Sequence, residues 1–297
     1  MSTRRLSAVH IFVVLVFTTP STLFGQSPEH IPQGWYVYPN SKLNHADVNT
    51  LKCFNYSRNE WAVSDESDGV RITKWTGRKA EVPSLPPLLK VQPGMPGPTP
   101  SAGLIGAMRF EKGWLLAYDA VGSGGGMWLT NQDGSKAKRV VSENVRGIVP
   151  LNSDSVLVLS GWVEMIPDYG KEYVFSNPDG LNIKLKYSAR LDGAPMASTK
   201  LPDGSVLFVT TRSLHAITKS ESESEKKPNY RFPSWVTAQY PNSIVARTDG
   251  TIFIGMRMFV LQLTPNPSGY SEDWLLPNSC SSFELDEKVL ACVCKSW

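Results

Sequence analysis

The segment Asp203-Gly204-Ser205-Val206-Leu207-Phe208-Val209 recurs 46 residues later as Asp249-Gly250-Thr251-Ile252-Phe253-Ile254-Gly255. The match continues without a gap, Leu214-His215-Ala216-Ile217-Thr218 aligning with Val260-Leu261-Gln262-Leu263-Thr264. Asp-Gly marks a tight turn, because glycine accepts a positive φ and the Asp side chain bonds the backbone two residues on. The runs beside it are short and rich in β-branched and aromatic residues, which read as strands. A fixed period in the forties, built from strands and Asp-Gly turns, predicts one all-β unit repeated along the chain.

Weaker copies follow the same template: a short apolar strand, a polar turn, a second strand of large apolar residues, a loop and a third strand. The second strands are expected at Trp61-Ala62-Val63, Trp114 to Tyr118, Val156 to Leu159, Val206 to Val209, Ile252 to Ile254 and Val289 to Val293. Third strands end in Thr four times, at Thr73, Thr130, Thr218 and Thr264. That makes about six units, the sixth cut short by the end of the chain at Trp297. Trp35-Tyr36-Val37-Tyr38 is a suitable strand to complete it, and closure would leave no sheet edge unpaired.

On these repeats the chain resembles the broad superfamily of six- and seven-bladed β-propellers that includes strictosidine-synthase-like, gluconolactonase-like and NHL-repeat proteins. The Gly-His and Trp-Asp dipeptides of WD40 blades are absent. The resemblance implies an all-β propeller of about six blades, closed by an N-terminal strand, and it bears on fold rather than activity.

The N-terminus reads as a leader. Arg4 and Arg5 precede an apolar run from Ala8 to Phe17, broken by Thr18-Thr19-Pro20. About ten apolar residues are too few to span a bilayer, which needs about 20, so a signal peptide over 1–25 is expected, cleaved near Gly25. The propeller domain is then 26–297, secreted or periplasmic, with no membrane span. Without Arg4 and Arg5 the 30 basic residues fall to 28, against 27 acidic. That balance gives no electrostatic footprint for nucleic acid.

Cys53, Cys280, Cys292 and Cys294 are the disulfide candidates, with three possible connectivities. A hairpin around Glu287 would set Cys280 across from Cys294 or Cys292, and a Cys53 bond would latch the two ends of a closed ring. Pro83 to Pro100 holds seven prolines and reads as a connection between the first and second units. Lys219 to Lys227, with Glu221, Glu223 and Glu225 between serines, reads as a solvated loop tip.

Familiar catalytic patterns do not fit. His30 and His45 lie in polar N-terminal segments, His215 reads as a half-buried strand residue, and no Gly-x-Ser-x-Gly elbow occurs. Gly122 to Gly126 lacks the Lys-Ser/Thr and helix of a phosphate loop and runs into a strand instead. The propeller resemblance directs attention to the channel mouth, where loops after second strands converge. Asp65, Asp119, Arg212 and Arg257 are expected there, with Trp162 in the loop of the third unit and Arg146 opening a first strand on the same rim. Such a mouth suits an anionic or zwitterionic ligand, with arginine as a fork for carboxylate or phosphate. Trp61 and Trp114 are read as packing residues at equivalent second strands.

Three functions follow as expectations. The first is a module that binds a small ligand or an envelope protein through one face of the ring, without a cofactor. The second is a lactonase-, hydrolase- or lyase-type propeller enzyme with acid–base groups or a metal such as Ca²⁺ at the mouth. Its metal would rest on Asp65 and Asp119, with Glu164 and Asp168 as additions. The third is a structural envelope protein.

Overall fold

The computed structural model describes residues 31–38, 60–67, 69–77, 102–120, 124–163, 168–179, 181–218, 228–233 and 240–277. The leader, His30, His45, Gly122, Ser123, Glu164, the proline run, the Lys219–Lys227 segment, all four cysteines and the sixth unit lie outside them. Among the described residues every regular element is a strand. Among these residues no helix is long and apolar enough to cross a membrane.

The N-terminal strand is β1 (Trp35–Tyr38), followed by the hairpin β2 (Trp61–Glu66) and β3 (Gly69–Lys74). Three four-stranded antiparallel sheets come next. The first holds β4 (Ala102–Phe110), β5 (Gly113–Ala120), β6 (Gly126–Asn131) and β7 (Ala137–Val141). The second holds β8 (Val145–Asn152), β9 (Ser155–Trp162), β10 (Tyr169–Asp179) and β11 (Asn182–Leu191). The third holds β12 (Pro195–Lys200), β13 (Val206–Thr210), β14 (Ser213–Ile217) and β15 (Tyr230–Arg231). A last sheet is formed by β16 (Ser243–Ala246), β17 (Ile252–Gly255), β18 (Val260–Asn266) and β19 (Gly269–Pro277), with β1 as its fifth strand. In each four-stranded run the strands pair in chain order, and the fourth, outer strand of these runs is one that the three-strand template did not foresee.

The repeat in sequence is a repeat in register. Val206 pairs with Ile217, and Ile252 pairs with Leu263, the same partners displaced by one period. The two Asp-Gly turns also match. Ser205 N–H and Thr251 N–H each donate to the Asp two residues before, at 2.8 Å in both cases. Gly204 and Gly250 have φ of +82° and +85°, a conformation that costs glycine nothing.

The second strands β5, β9, β13 and β17 are apolar on both sides because both sides are covered. The burial of Val206–Thr210 and of Ile252–Gly255 is unbroken. The cores lie between sheets: Leu115, Met127, Val156 and Phe175 join the first two. Leu157, Leu159, Phe208 and Ile217 join the next pair, and Leu207, Leu214, Ile254 and Phe259 the pair after that. Outer strands carry the polar face, as in β11, where exposed and half-buried residues mostly alternate. Charged residues there also protect an edge strand from pairing with another chain.

One expectation is corrected. Trp61-Ala62-Val63 does not take a second-strand position. β8 packs against β12, β12 against β16, and β16 against β2, so β2 follows the first strands of the other units and β3 stands where their second strands stand. Trp61 N–H donates to Met256 C=O at 3.0 Å, and Val63 N–H to Ser243 Oγ at 2.9 Å, which fix this position. Trp61 and Trp114 are therefore not equivalent. In addition, β1 pairs antiparallel with β19, Trp35 opposite Pro277 and Tyr38 opposite Trp274. It extends the fifth unit's sheet, the sixth unit that it was expected to complete lying outside the described residues, and Trp35 meets Trp61 edge-on at 4.9 Å. The β2–β3 hairpin lies directly beside that sheet, packed through Val63, Val245, Phe253 and Leu275.

Phe253 is fully buried in this last contact. Phe253→Ala should lower unfolding stability by about 3–5 kcal/mol in urea titrations. Leu185→Ala, at a residue 48% exposed on β11, should change it by less than about 0.5 kcal/mol.

Candidate functional site

The first strands begin, and the second strands end, at one end of the sheets. A cavity of about 410 Å³ opens there. The β2–β3 hairpin contributes Glu60 and Trp75, β8 contributes Arg146, and Val163 follows β9. Met196 comes from β12, and the β16–β17 unit adds Tyr240, Asn242 and Arg257. Every one of these residues lies just before or at the start of a first strand, or just after a second strand.

Arg146 is held from behind. Its Nη1 lies 3.2 Å from Asp119 Oδ2, and both side chains are largely buried. Asn144 sets this pair. Its Nδ2 donates to Ala120 C=O at 2.7 Å, and its Oδ1 accepts from Gly125 N–H at 3.1 Å. It thus ties both flanks of the β5–β6 connection to the segment that enters β8. Only glycine fits at 125, since a Cβ there would lie 2.1 Å from Asn144 Oδ1. The neighbouring Glu143 binds Lys171 Nζ at 2.5 Å and accepts from the Tyr173 hydroxyl. Burial pushes the Glu143 carboxyl up, but the bonds from Lys171 and Tyr173 and the Lys171 charge outweigh it and hold it below the usual range.

The opposite wall is built on strained backbone. Arg257 Nη2 lies 3.3 Å from Glu60 Oε1, and its guanidinium stacks 4.7 Å from the Tyr240 ring centre. Tyr240 has φ +46° and Met258 has φ +73°, the two non-glycine residues with positive φ among the described residues. Left-handed backbone at bulky residues costs roughly 1–3 kcal/mol each and persists only where packing enforces it. Tyr240 is itself a member of the stacked pair, and Met258 directly follows Arg257.

Of the expected mouth residues, Arg146 and Arg257 line the cavity and Asp119 backs Arg146. Arg212 lies at the same end but outside the lining, where its Nη2 binds Asp168 Oδ1 at 2.5 Å and Thr211 binds the other oxygen. Trp162 closes β9 opposite Tyr169, with its neighbour Val163 in the cavity wall. Asp65 is placed at the other end of β2, because β2 runs away from the mouth. It is 62% exposed and lies 3.8 Å from Arg247. Asp65 and Asp119 are thus at opposite ends of the sheets and do not converge as metal ligands. Among the described residues no three His, Cys, Asp or Glu side chains are grouped to hold a metal. Sequence reasoning missed Glu60, Trp75, Tyr240 and Asn242. The rule that placed Arg146 before a first strand also marks Tyr240 and Asn242.

A Ser-His-Asp grouping does occur in the third four-stranded sheet's neighbourhood, but not as a nucleophilic triad. Ser213 Oγ donates to Asp192 Oδ1 at 2.6 Å and lies 2.7 Å from His215 Nε2. The serine proton therefore points to the carboxylate and not to the imidazole. Ser213 and His215 are buried, and the imidazole stacks on Phe208 at 4.9 Å. Burial pushes the Asp192 carboxyl up, yet bonds from His215 and Ser213, the His215 charge and Thr210 bring it down to about 2.

Successive antiparallel sheets whose first strands neighbour one another, with a shared mouth at one end, define an all-β, propeller-like protein. No family model matches the chain, and no curated protein matches it. Among solved structures it is similar to virginiamycin B lyase from Staphylococcus aureus, at 15% identity and TM-score 0.37, over 72% of this chain and 69% of that one. It is also similar to a streptogramin B lyase, at 13% identity and TM-score 0.28, over 73% and 83%. PorZ, a surface component of the type-IX secretion system of Porphyromonas gingivalis, matches at 10% identity and TM-score 0.38, over 70% of this chain and 30% of its own. At these values none of them assigns an activity to this chain.

Two outcomes are expected. Asn144→Ala strands a buried N–H and C=O and should cost about 1–3 kcal/mol in chemical denaturation. The Asp192 carboxyl lies below its ordinary value of 3.8, so its contribution to stability is present above about pH 4 and is lost as the pH falls towards 2. The stability gap between the unaltered protein and Asp192→Asn should therefore narrow over that interval, measured by urea midpoints.

Proposed function

We propose that the chain is an exported binding module that takes a small molecule into the mouth cavity. The observation that carries this reading is the convergence of side chains from the β2–β3 hairpin and three further sheets on one cavity of about 410 Å³. That volume is within the range of about 300–1,000 Å³ usual for small-molecule sites. The strained backbone beside Arg257 and Tyr240 supports it, since strain of this kind clusters at ligand clamps. Export rests on the charged and then apolar leader read over 1–25. The metal-dependent enzyme reading loses its ligand pair with the separation of Asp65 from Asp119.

A fragment screen by thermal shift on the mature protein tests the reading. A fragment at a hundred times its Kd adds about 2.7 kcal/mol, or roughly 5 °C for a domain of this size. Hits should vanish in Trp75→Ala and Tyr240→Ala and persist in Arg247→Ala, at the far end of the sheets. Hits that survive both cavity variants would place binding elsewhere and overturn the proposal.

A further inference from the structure

The cavity's chemistry is asymmetric, and the asymmetry names a ligand class. Its charged and amide lining is Arg146, Arg257, Asn242 and Glu60, beside the amphipathic rings of Trp75 and Tyr240. Arg146, Arg257 and the Asn242 amide nitrogen bring N–H donors, while Glu60 and the Asn242 carbonyl bring acceptors, each already engaged. Each arginine faces a carboxylate, Arg257 with Glu60 in the lining and Arg146 with Asp119 behind it, so charge is balanced and what the wall brings is N–H donors. The carboxylate acceptor is already set against a cation, because Glu60 Oε1 lies 3.3 Å from Arg257 Nη2. An ammonium group entering the cavity would therefore meet a carboxylate already held by a cation, beside N–H donors that it cannot accept from.

Asn242 adds a separate observation. Its Oδ1 accepts from Ser243 Oγ at 2.9 Å, while its Nδ2 is buried and makes no hydrogen bond among the described residues. A buried amide donor without a partner costs about 1–3 kcal/mol, which an acceptor brought by a ligand would relieve. The remaining wall is apolar or aromatic, including Trp75, Val163 and Met196, and offers nothing to a fully hydrated solute.

Resting on the reading of this cavity as a small-molecule site, we infer that its ligand is an organic anion: one carboxylate or phosphate group on a flat, apolar body. The anionic head accepts from Arg146, Arg257 and the Asn242 amide. The body lies against Trp75, Val163 and Met196. Guanidinium suits either head, because its planar fork matches the oxygen spacing of both. Glu60 is the protein's own occupant of the Arg257 donor.

Isothermal titration of the mature protein with four probes of one shape tests the class: 2-naphthoate, 2-naphthyl phosphate, 2-naphthalenemethanol and 2-naphthylmethylamine. At least one of the two anions should bind tenfold or more tightly than the alcohol, and the amine should be the weakest. The tighter anion identifies the head group. Arg146→Gln and Arg257→Gln should each weaken the anion at least tenfold while leaving the alcohol within threefold, with circular dichroism melts confirming that each variant is folded. Alcohol or amine binding as tight as the anion, and lost in Trp75→Ala, would overturn the anion class while keeping the cavity as a ligand site. Absence of binding by all four probes would overturn the inference as well, and the fragment screen then decides separately whether the cavity binds anything.

Discussion

Sheet-on-sheet burial of the second strands is the constraint on which the rest depends. A strand such as Val206–Thr210 is buried along its whole length. It is stable only with a sheet on each side, because an apolar face left in water forfeits about 25 cal/mol per Å². Each hydrophobic cluster accordingly draws on neighbouring sheets, as where Leu157 and Leu159 meet Phe208 and Ile217. No unit is complete alone, and the order of the sheets is the fold.

That packing also makes the mouth. First strands that neighbour one another bring their starting residues together, and second strands bring their ends to the same place. The charged groups collected there are held in pairs: Arg146 with Asp119, Arg257 with Glu60, Arg212 with Asp168. Each pair joins separate segments of the chain, so the same contacts that fix the side chains also fix one unit against another. Breaking one partner of a largely buried pair such as Arg146–Asp119 leaves an uncompensated charge, which makes these residues structural as well as available to a ligand.

Much of the fold was legible locally. Asp203-Gly204 and Asp249-Gly250 encode their turns through the Asp side chain and the glycine φ, and both appear with the same bonds. Strands with unbroken apolar runs were identifiable because nothing but burial on both faces explains them. Arg146 and Arg257 were placed by their position relative to a strand, a rule that needs no knowledge of neighbours. Asp65 was misplaced because the same rule was applied to a strand in a different position. A first strand and a second strand look alike in sequence when both are short and apolar, and Trp61-Ala62-Val63 carries no residue that separates them.

By itself the sequence determined the all-β character, the repeating unit, the turns and the pairing of adjacent strands. These follow from contacts between residues close along the chain. Only the tertiary structure decided that β2 lies beside β16, that β1 extends the sheet of β19, and that Glu60, Trp75, Tyr240 and Asn242 face one cavity with the two arginines. Those contacts join residues far apart in the chain, Glu60 and Arg257 across 197 residues and Trp35 and Pro277 across more. They are set by which apolar faces and which sheet edges remain to be covered once the local hairpins have formed.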